Sequence, residues 1–292
     1  MTRKASTVRR RVEQVSVGDD GAARRARTDL LATEEPLEIR VAVASDLRGA
    51  RLDDAATPVS VTMRTPGADF ELAAGFLYTE GLIASADAIS SIRYCTDGAQ
   101  QYNVVSVILA AGTRWDPASL QRNFYQTSSC GVCGKASIEA VMGPACARVE
   151  SGLVVAPDVV TRLPDALRAA QAVFERTGGL HAAGLFTADG ELVRAREDVG
   201  RHNAMDKLVG ASLLERELPW GERIVMVSGR LSFELVQKAA RAGAAVLAGV
   251  SAPSSLAVEL AEQAGITLCG FVRGGRFNVY AGAHRIAQTV HT

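Results

Sequence analysis

Two thiols three positions apart, Cys130 and Cys133, lie in the run Thr127-Ser128-Ser129-Cys130-Gly131-Val132-Cys133-Gly134-Lys135. The run directly precedes Ala136 to Met142, a stretch that reads as helix. A thiol at a helix N-terminus faces unpaired backbone N–H groups and the positive end of the helix dipole, and Lys135 adds a nearby cation. All three favour thiolate over thiol. Gly131 and Gly134 carry no side chain, so they leave the sulfurs open to attack. The segment is suited to sulfur chemistry at an accessible thiolate.

A purely structural pair is a poor account of these residues, because structural cysteines usually sit in apolar runs rather than among Ser and Gly. A structural zinc site needs four ligands. Cys95, Cys146 and Cys269 are scattered, and His181, His202, His284 and His291 show no ligand spacing. Zinc deaminases also open a helix with P-C-x-x-C, but they require an H-x-E for proton transfer. No histidine here starts that triplet, and Ser129 stands where the motif has proline. Two readings stay open. One is a dithiol/disulfide couple, although the inner Gly131-Val132 pair lacks the proline such motifs often carry. The other is a persulfide carrier, in which one cysteine holds a transferable sulfur atom.

The elements that must position such a site follow from pattern and composition. At 292 residues the chain suits one large or two modest domains. Its 32 basic and 32 acidic side chains balance, so no global field attracts nucleic acid or membrane. Five cysteines, an odd number, argue against a disulfide framework and for a reducing cytosol. No apolar run approaches ~18 residues, and the polar stretch after Arg9-Arg10-Arg11 is unlike the apolar core of a signal peptide. The expectation is a cytoplasmic protein without nucleic-acid or membrane partners.

Residues 1–30, Arg-rich and poor in large apolar side chains, are expected to form a flexible basic tail. Residues 31–115 read as a small α+β domain, with strands Ile39 to Ala44, Pro58 to Arg64 and Val104 to Ala110 around a helix from Phe70 to Ile83. Residues 116–292 alternate strand and helix. Leu153 to Ala156 reads as strand, and Pro164 to Arg176 as helix with proline in its first turn. Strands His181 to Phe186, Ile224 to Val227, Ala245 to Val250 and Ile266 to Val272 then interleave with helices Ala204 to Leu214, Ser232 to Ala242 and Leu256 to Ala264. This alternation predicts a layered α/β domain with a mixed sheet.

In open α/β sheets, ligands gather beyond the strand C-termini. Three segments suit that position: Ser228-Gly229-Arg230, Arg273-Gly274-Gly275-Arg276, and Glu197 through His202 to Asn203. Backbone N–H groups and guanidinium groups there would receive an anionic and fairly large ligand. It is not a P-loop client, and no G-x-G-x-x-G is present.

Several stretches together resemble the formate dehydrogenase accessory sulfurtransferase family, also called the sulfur carrier protein FdhD family. They are Glu35 to Arg40, Glu71 to Leu77, Ser128 to Lys135, Gly178 to Ala183, Glu197 to Lys207, Ser228 to Glu234, and Gly270 to Tyr280, in collinear order. The resemblance implies a C-terminal domain similar in fold to cytidine deaminases, without the zinc chemistry. It implies a sulfur carrier that takes sulfur from a cysteine desulfurase and passes it to molybdenum bis-molybdopterin guanine dinucleotide, before that cofactor enters formate dehydrogenase. The cofactor would be a client ligand, with none permanently bound. Cys130 would carry the persulfide, with Cys133 its partner. Phe271, Val272, Arg273, Gly274, Gly275 and Arg276 match the family's cofactor-contacting stretch. Arg230 and His202 are added as candidate contacts from the loop reading. A symmetric homodimer is compatible with a two-part ligand. The alternatives are a disulfide oxidoreductase and a non-catalytic cofactor chaperone.

Overall fold

The computed structural model describes residues 5–19, 21–47, 52–95, 102–113 and 148–288. Cys130, Cys133 and the expected helix Ala136 to Met142 lie outside the described residues. The expected N-terminal tail requires correction. Strands β1 (Thr7–Gly18) and β2 (Gly21–Ala32) form an antiparallel hairpin in continuous register from Thr7↔Ala32 to Gly18↔Gly21. Charged residues hid it from the hydrophobic pattern, because almost every position of the ribbon is exposed and no buried face imposes alternation.

The first sheet has the order β4-β3-β6-β5, from β3 (Glu35–Val43), β4 (Thr57–Arg64), β5 (Ile89–Tyr94) and β6 (Val104–Leu109). A single helical turn, α1 (Leu52–Ala55), leads into β4. Alternate residues Leu37, Ile39 and Val41 of β3, with Val105, Val107 and Leu109 of β6, pack on Leu72, Ala73 and Leu77 of α2 (Asp69–Thr79). Helix α2 stops four residues short of Ile83. Gly81 adopts φ +79°, and the Leu82 and Ile83 amides turn back to the Leu77 carbonyl, a glycine-dependent helix stop.

The second sheet has the order β12-β11-β10-β9-β7-β8. Its strands are β7 (His181–Phe186), β8 (Leu192–Asp198), β9 (Gly221–Val227), β10 (Ala244–Gly249), β11 (Thr267–Arg273) and β12 (Arg276–Ala281). Strands β9, β10 and β11 are parallel, and the outer strands are antiparallel to their neighbours, so the mixed sheet is as expected. The period of two sorts the core. Val225 and Val227 face α5 (Arg201–Leu214), α6 (Phe233–Arg241) and α7 (Ser255–Ala264), whereas Ile224 and Met226 face α3 (Pro157–Ala169).

Two local expectations fail here. Leu153 to Ala156 makes one bridge, Val155 to Ile286, rather than a strand. The expected helix Pro164 to Arg176 is instead two, α3 and α4 (Ala172–Thr177), broken at Gln171. Pro157 begins α3, and Pro164 lies inside it. The exposed N-terminus of α4 is satisfied from afar: the Glu197 carboxylate on β8 accepts hydrogen bonds from Val173 N (3.0 Å) and Phe174 N (2.7 Å).

The two units meet where α2 crosses α5 at Gly75 and Gly210. A Cβ on Gly75 would overlap the Asp206 carbonyl, and one on Gly210 would overlap the Glu71 carbonyl. Alanine in an open helix position gains about 1 kcal/mol over glycine. Here Gly210→Ala is expected to lose about 1–3 kcal/mol net by forcing the helices apart. Chemical denaturation gives the sign, and a stabilised Gly210→Ala protein would contradict the close crossing.

Candidate functional site

The parallel strands β9, β10 and β11 carry their C-terminal ends to one edge of the second sheet, and the antiparallel β7 starts there and β8 ends there. All three candidate segments therefore reach that edge. Ser228-Gly229-Arg230 joins β9 to α6 as expected, with Arg230 exposed. Ser228 N donates to the Ala182 carbonyl, and Ser228 Oγ accepts from Ala182 N at 2.8 Å, which fixes the loop against β7. Gly249, at the end of β10, lies against the side chain of Leu231 and the Gly229 carbonyl. Phe271 N donates to the Ser251 carbonyl at 3.1 Å. The segments thus form a continuous rim.

The segment at the end of β11 is built differently from the one after β9. Arg273-Gly274-Gly275-Arg276 is a β-hairpin turn between β11 and β12, not a loop entering a helix. Both glycines have positive φ, +58° and +72°, the requirement of a tight two-residue hairpin. Arg273 and Arg276 are paired across the turn, and both are exposed. Phe271 adopts φ +53°, a strained conformation for an aromatic residue, and the Arg273 guanidinium lies 5.5 Å from its ring centroid. The Val272 side chain is fully buried in the core, so only its backbone could meet a ligand.

The segment Glu197 to Asn203 is not a loop. Glu197 and Asp198 end β8, and Arg201, His202 and Asn203 form the first turn of α5. Glu197 is engaged in capping α4. Asp198, fully buried, accepts from Gly200 N at 2.8 Å, from Asn203 Nδ2 at 3.0 Å and from Thr65 N at 3.1 Å, and pairs with Lys207 Nζ at 2.7 Å. These bonds hold the start of α5 against the loop after β4.

His181 is a further rim residue that pattern reading missed, and it lies beside Arg201 of the candidate segment Glu197 to Asn203. A Cβ on Gly229 would lie 3.4 Å from His181 Nδ1 and 3.9 Å from Arg201 Cδ. Burial, then the Arg201 guanidinium, lowers the His181 pKa below its ordinary value. The only available signal for His181 was its place at a strand start shortly after Gly178-Gly179.

His202 faces a cleft of about 270 Å³ between the units, lined from β3, β4 and α2 on one side and α5 and α6 on the other. Its Nε2 lies 3.3 Å from Ser232 Oγ and 3.8 Å from the Glu234 carboxylate. Behind it Lys238 Nζ contacts Glu80 at 2.9 Å, Asp206 at 2.9 Å and Thr79 Oγ1 at 2.9 Å. Burial opposes the charge on Lys238, but Asp206 and Glu80 outweigh it and raise its pKa. Burial opposes ionisation of Glu234, yet hydrogen bonds from its own backbone N–H and from Ser232, with His202 and Arg201, hold its carboxyl below the usual range.

Burial, Arg201 and Lys238 push His202 down from 6.5 to about 4. Between those values the unfolded chain binds a proton that the native His202 does not, so native stability falls as pH drops through the window. His202→Gln should therefore shrink the difference in melting temperature between pH 7 and pH 5. An unchanged difference would place that titration on another group.

Among the described residues no group of three or more His, Cys, Asp or Glu could hold a metal ion. No helix among them is long and apolar enough to cross a membrane. Burial pushes the Cys269 thiol up to about 12, which leaves it unreactive at neutral pH.

Comparisons with known proteins bear on the whole chain. The model of the FdhD/NarQ family matches residues 33–287. A protein of Streptomyces avermitilis named sulfur carrier protein FdhD is 54% identical over 287 residues, covering 96% of each chain. A protein of the same name from Mycobacterium tuberculosis is 49% identical over 291 residues, covering 96% of this chain and 99% of its own. A crystal structure from Desulfotalea psychrophila, described as a putative formate dehydrogenase accessory protein, superposes with TM-score 0.69 at 25% identity, over 96% of this chain and 99% of that one. With the family pattern extending from β3 to the end of the second sheet, this chain belongs to the FdhD/NarQ family.

Proposed function

We propose that this protein is a sulfur carrier that supports formate dehydrogenase. It accepts sulfur from a cysteine desulfurase as a persulfide on Cys130 and passes it to molybdenum bis-molybdopterin guanine dinucleotide before insertion. The observation that carries the reading is roughly 50% identity, over nearly the full chain, to proteins named sulfur carrier protein FdhD. In the loading step the Cys130 thiolate attacks the terminal sulfur of the donor persulfide. The donor's sulfur–sulfur bond breaks, the donor cysteine leaves as thiolate, and Cys130 keeps the terminal sulfur.

The sheet rim supplies what an anionic, two-part ligand needs. Arg273 and Arg276 stand exposed at the hairpin, Arg230 stands at the end of β9, and the Phe271 ring offers a face for stacking. Incubation with a cysteine desulfurase and cysteine, followed by intact mass measurement, tests the reading. A reductant-labile gain of one sulfur atom supports it. Loss of two hydrogens would favour a disulfide oxidoreductase, and no change a non-catalytic chaperone.

Delivery should depend on the rim and loading should not. A charge-assisted hydrogen bond to phosphate contributes about 1.5–3 kcal/mol, roughly ten- to hundred-fold in affinity. Arg276→Ala and Arg230→Ala are each expected to weaken guanine nucleotide binding by about that factor in calorimetry at fixed salt, with sulfur loading unchanged. Unaltered affinity in both would move the phosphate site elsewhere.

A further inference from the structure

Unlike the exposed Arg230, Arg273 and Arg276, Arg201 is a partly buried cation of the rim. Its guanidinium makes no hydrogen bond or ion pair among the described residues, and its Nε is buried without a partner. Holding such a group out of water is unfavourable unless an anion meets it. The carboxylates in this part of the rim are engaged elsewhere. Asp198 pairs with Lys207, Glu197 caps α4, and Glu234 is held by Ser232 and its own backbone N–H. The His181 imidazole likewise makes no hydrogen bond among the described residues.

Space is kept open over both side chains. The pairing of Ala183 with Val227 puts His181 level with Gly229 at the rim. The Gly229 backbone is outside the left-handed region, so its conformation does not require glycine. What its missing side chain leaves is a gap beside His181 Nδ1 and Arg201 Cδ, the nearest atoms a Cβ would meet, at 3.4 Å and 3.9 Å. The order β11-β10-β9-β7 sets this gap three strand spacings from Phe271, about 14 Å at ~4.8 Å each. Arg201 and His181 therefore occupy the opposite end of the rim from the Arg273 to Arg276 hairpin.

We propose that Arg201 and His181 form a second anion subsite, which takes the diphosphate group of a nucleotide while the hairpin end holds another part of the same ligand. The identity of that ligand rests on the sulfur-carrier reading; the subsite itself rests on the unpaired guanidinium and the gap. The guanidinium fork donates two parallel hydrogen bonds to phosphate oxygens, and the imidazole donates one from its ring N–H. The charged groups facing His181 are Arg201 of α5 and Asp198 of β8. Burial, then Arg201, lowers its pKa in the free protein, and a bound anion raises it. Between those two values the complex holds a proton that the free protein lacks, so affinity rises as pH falls through the window.

Calorimetry and histidine NMR on the full chain, with inorganic pyrophosphate and guanosine diphosphate as probes, test it. Both probes are expected to raise the titration point of His181, whose resonance His181→Gln identifies. Guanosine diphosphate should bind roughly tenfold or more tightly than pyrophosphate, because the rest of the nucleotide reaches along the rim. Arg201→Gln should weaken both probes by roughly ten- to hundred-fold, the loss of a charge-assisted contact. Gly229→Val fills the gap without backbone strain and should weaken them too, with melting close to the parent, so it carries the test if Arg201→Gln fails to fold. Binding should strengthen as pH is lowered from about 8 to about 6, and His181→Gln should remove that part of the dependence. Pyrophosphate that leaves His181 unmoved, or folded Arg201→Gln and Gly229→Val proteins that bind as the parent does, would overturn the subsite. Guanosine diphosphate no tighter than pyrophosphate would overturn the nucleotide as its ligand. Sulfur loading of the parent is read separately: failure there, with Arg201-dependent binding intact, would refute the sulfur-carrier reading and leave the anion subsite standing.

Discussion

Cys130→Ala is expected to yield a folded protein that no longer gains a reductant-labile sulfur atom from a cysteine desulfurase, and a client formate dehydrogenase that stays inactive. The thiolate is the nucleophile in persulfide exchange, and no hydroxyl or methyl group replaces it. Of the other cysteines, Cys269 cannot substitute, because burial keeps its thiol protonated. Cys130 lies in a run of Ser and Gly rather than in an apolar segment, so its loss removes no core contact that the sequence indicates. Circular dichroism must accompany the assay, because an unfolded variant would also fail. Wild-type client activity with Cys130→Ala would refute the nucleophile assignment. Cys133→Ala separates the partner role: loading retained with delivery lost marks a relay, whereas loss of both marks Cys133 as the first acceptor.

The second large effect is on stability. Lys207→Met should destabilise the protein by about 3–5 kcal/mol, because it strands the Asp198 carboxylate in the interior. The Lys207 and Asp198 side chains are 2% and 0% exposed, so water cannot replace the ammonium. The substitution also removes the donor to the Thr65 carbonyl, 2.8 Å from Nζ, and so loosens the first unit from the second. A fall in melting temperature on the order of 10 °C follows. Lys207→Met combined with Asp198→Asn should cost less than the sum of the two single changes, because neutralising Asp198 relieves the stranded charge. A single variant within 1 kcal/mol of the parent would mean that the pair is not a buried linchpin between the units.

The structure explains which parts of the chain were legible in advance. Strands β9, β10 and β11 read clearly because both faces are covered by helices, which demands uninterrupted apolar runs such as Ile224 to Val227. The edge strands β8 and β12 escaped notice, since Leu192-Val193-Arg194-Ala195-Arg196-Glu197-Asp198 and Arg276-Phe277-Asn278-Val279-Tyr280-Ala281 mix charge and apolar character. The hairpin β1–β2 escaped for the same reason in stronger form, having no buried face. Gly274 and Gly275 were read as an anion-binding backbone segment and not as a hairpin turn, because that required seeing β12. Glu197, read as part of a candidate ligand segment, caps α4 through the Val173 amide 24 residues earlier.

By itself the sequence determined the mixed α/β class and the family, because each is written in contiguous residues or in collinear motifs. Only the tertiary structure decided how the two units lock together. Thr65 and Asp198 are 133 positions apart, and Lys238 reaches Glu80 across 158. In sequence, Lys207 and Lys238 look like the polar faces of ordinary helices. They are buried because Gly75 and Gly210 let α2 and α5 approach closely enough to exclude water. Such a contact depends on the shape of both partners at once, and no local pattern in either segment encodes it.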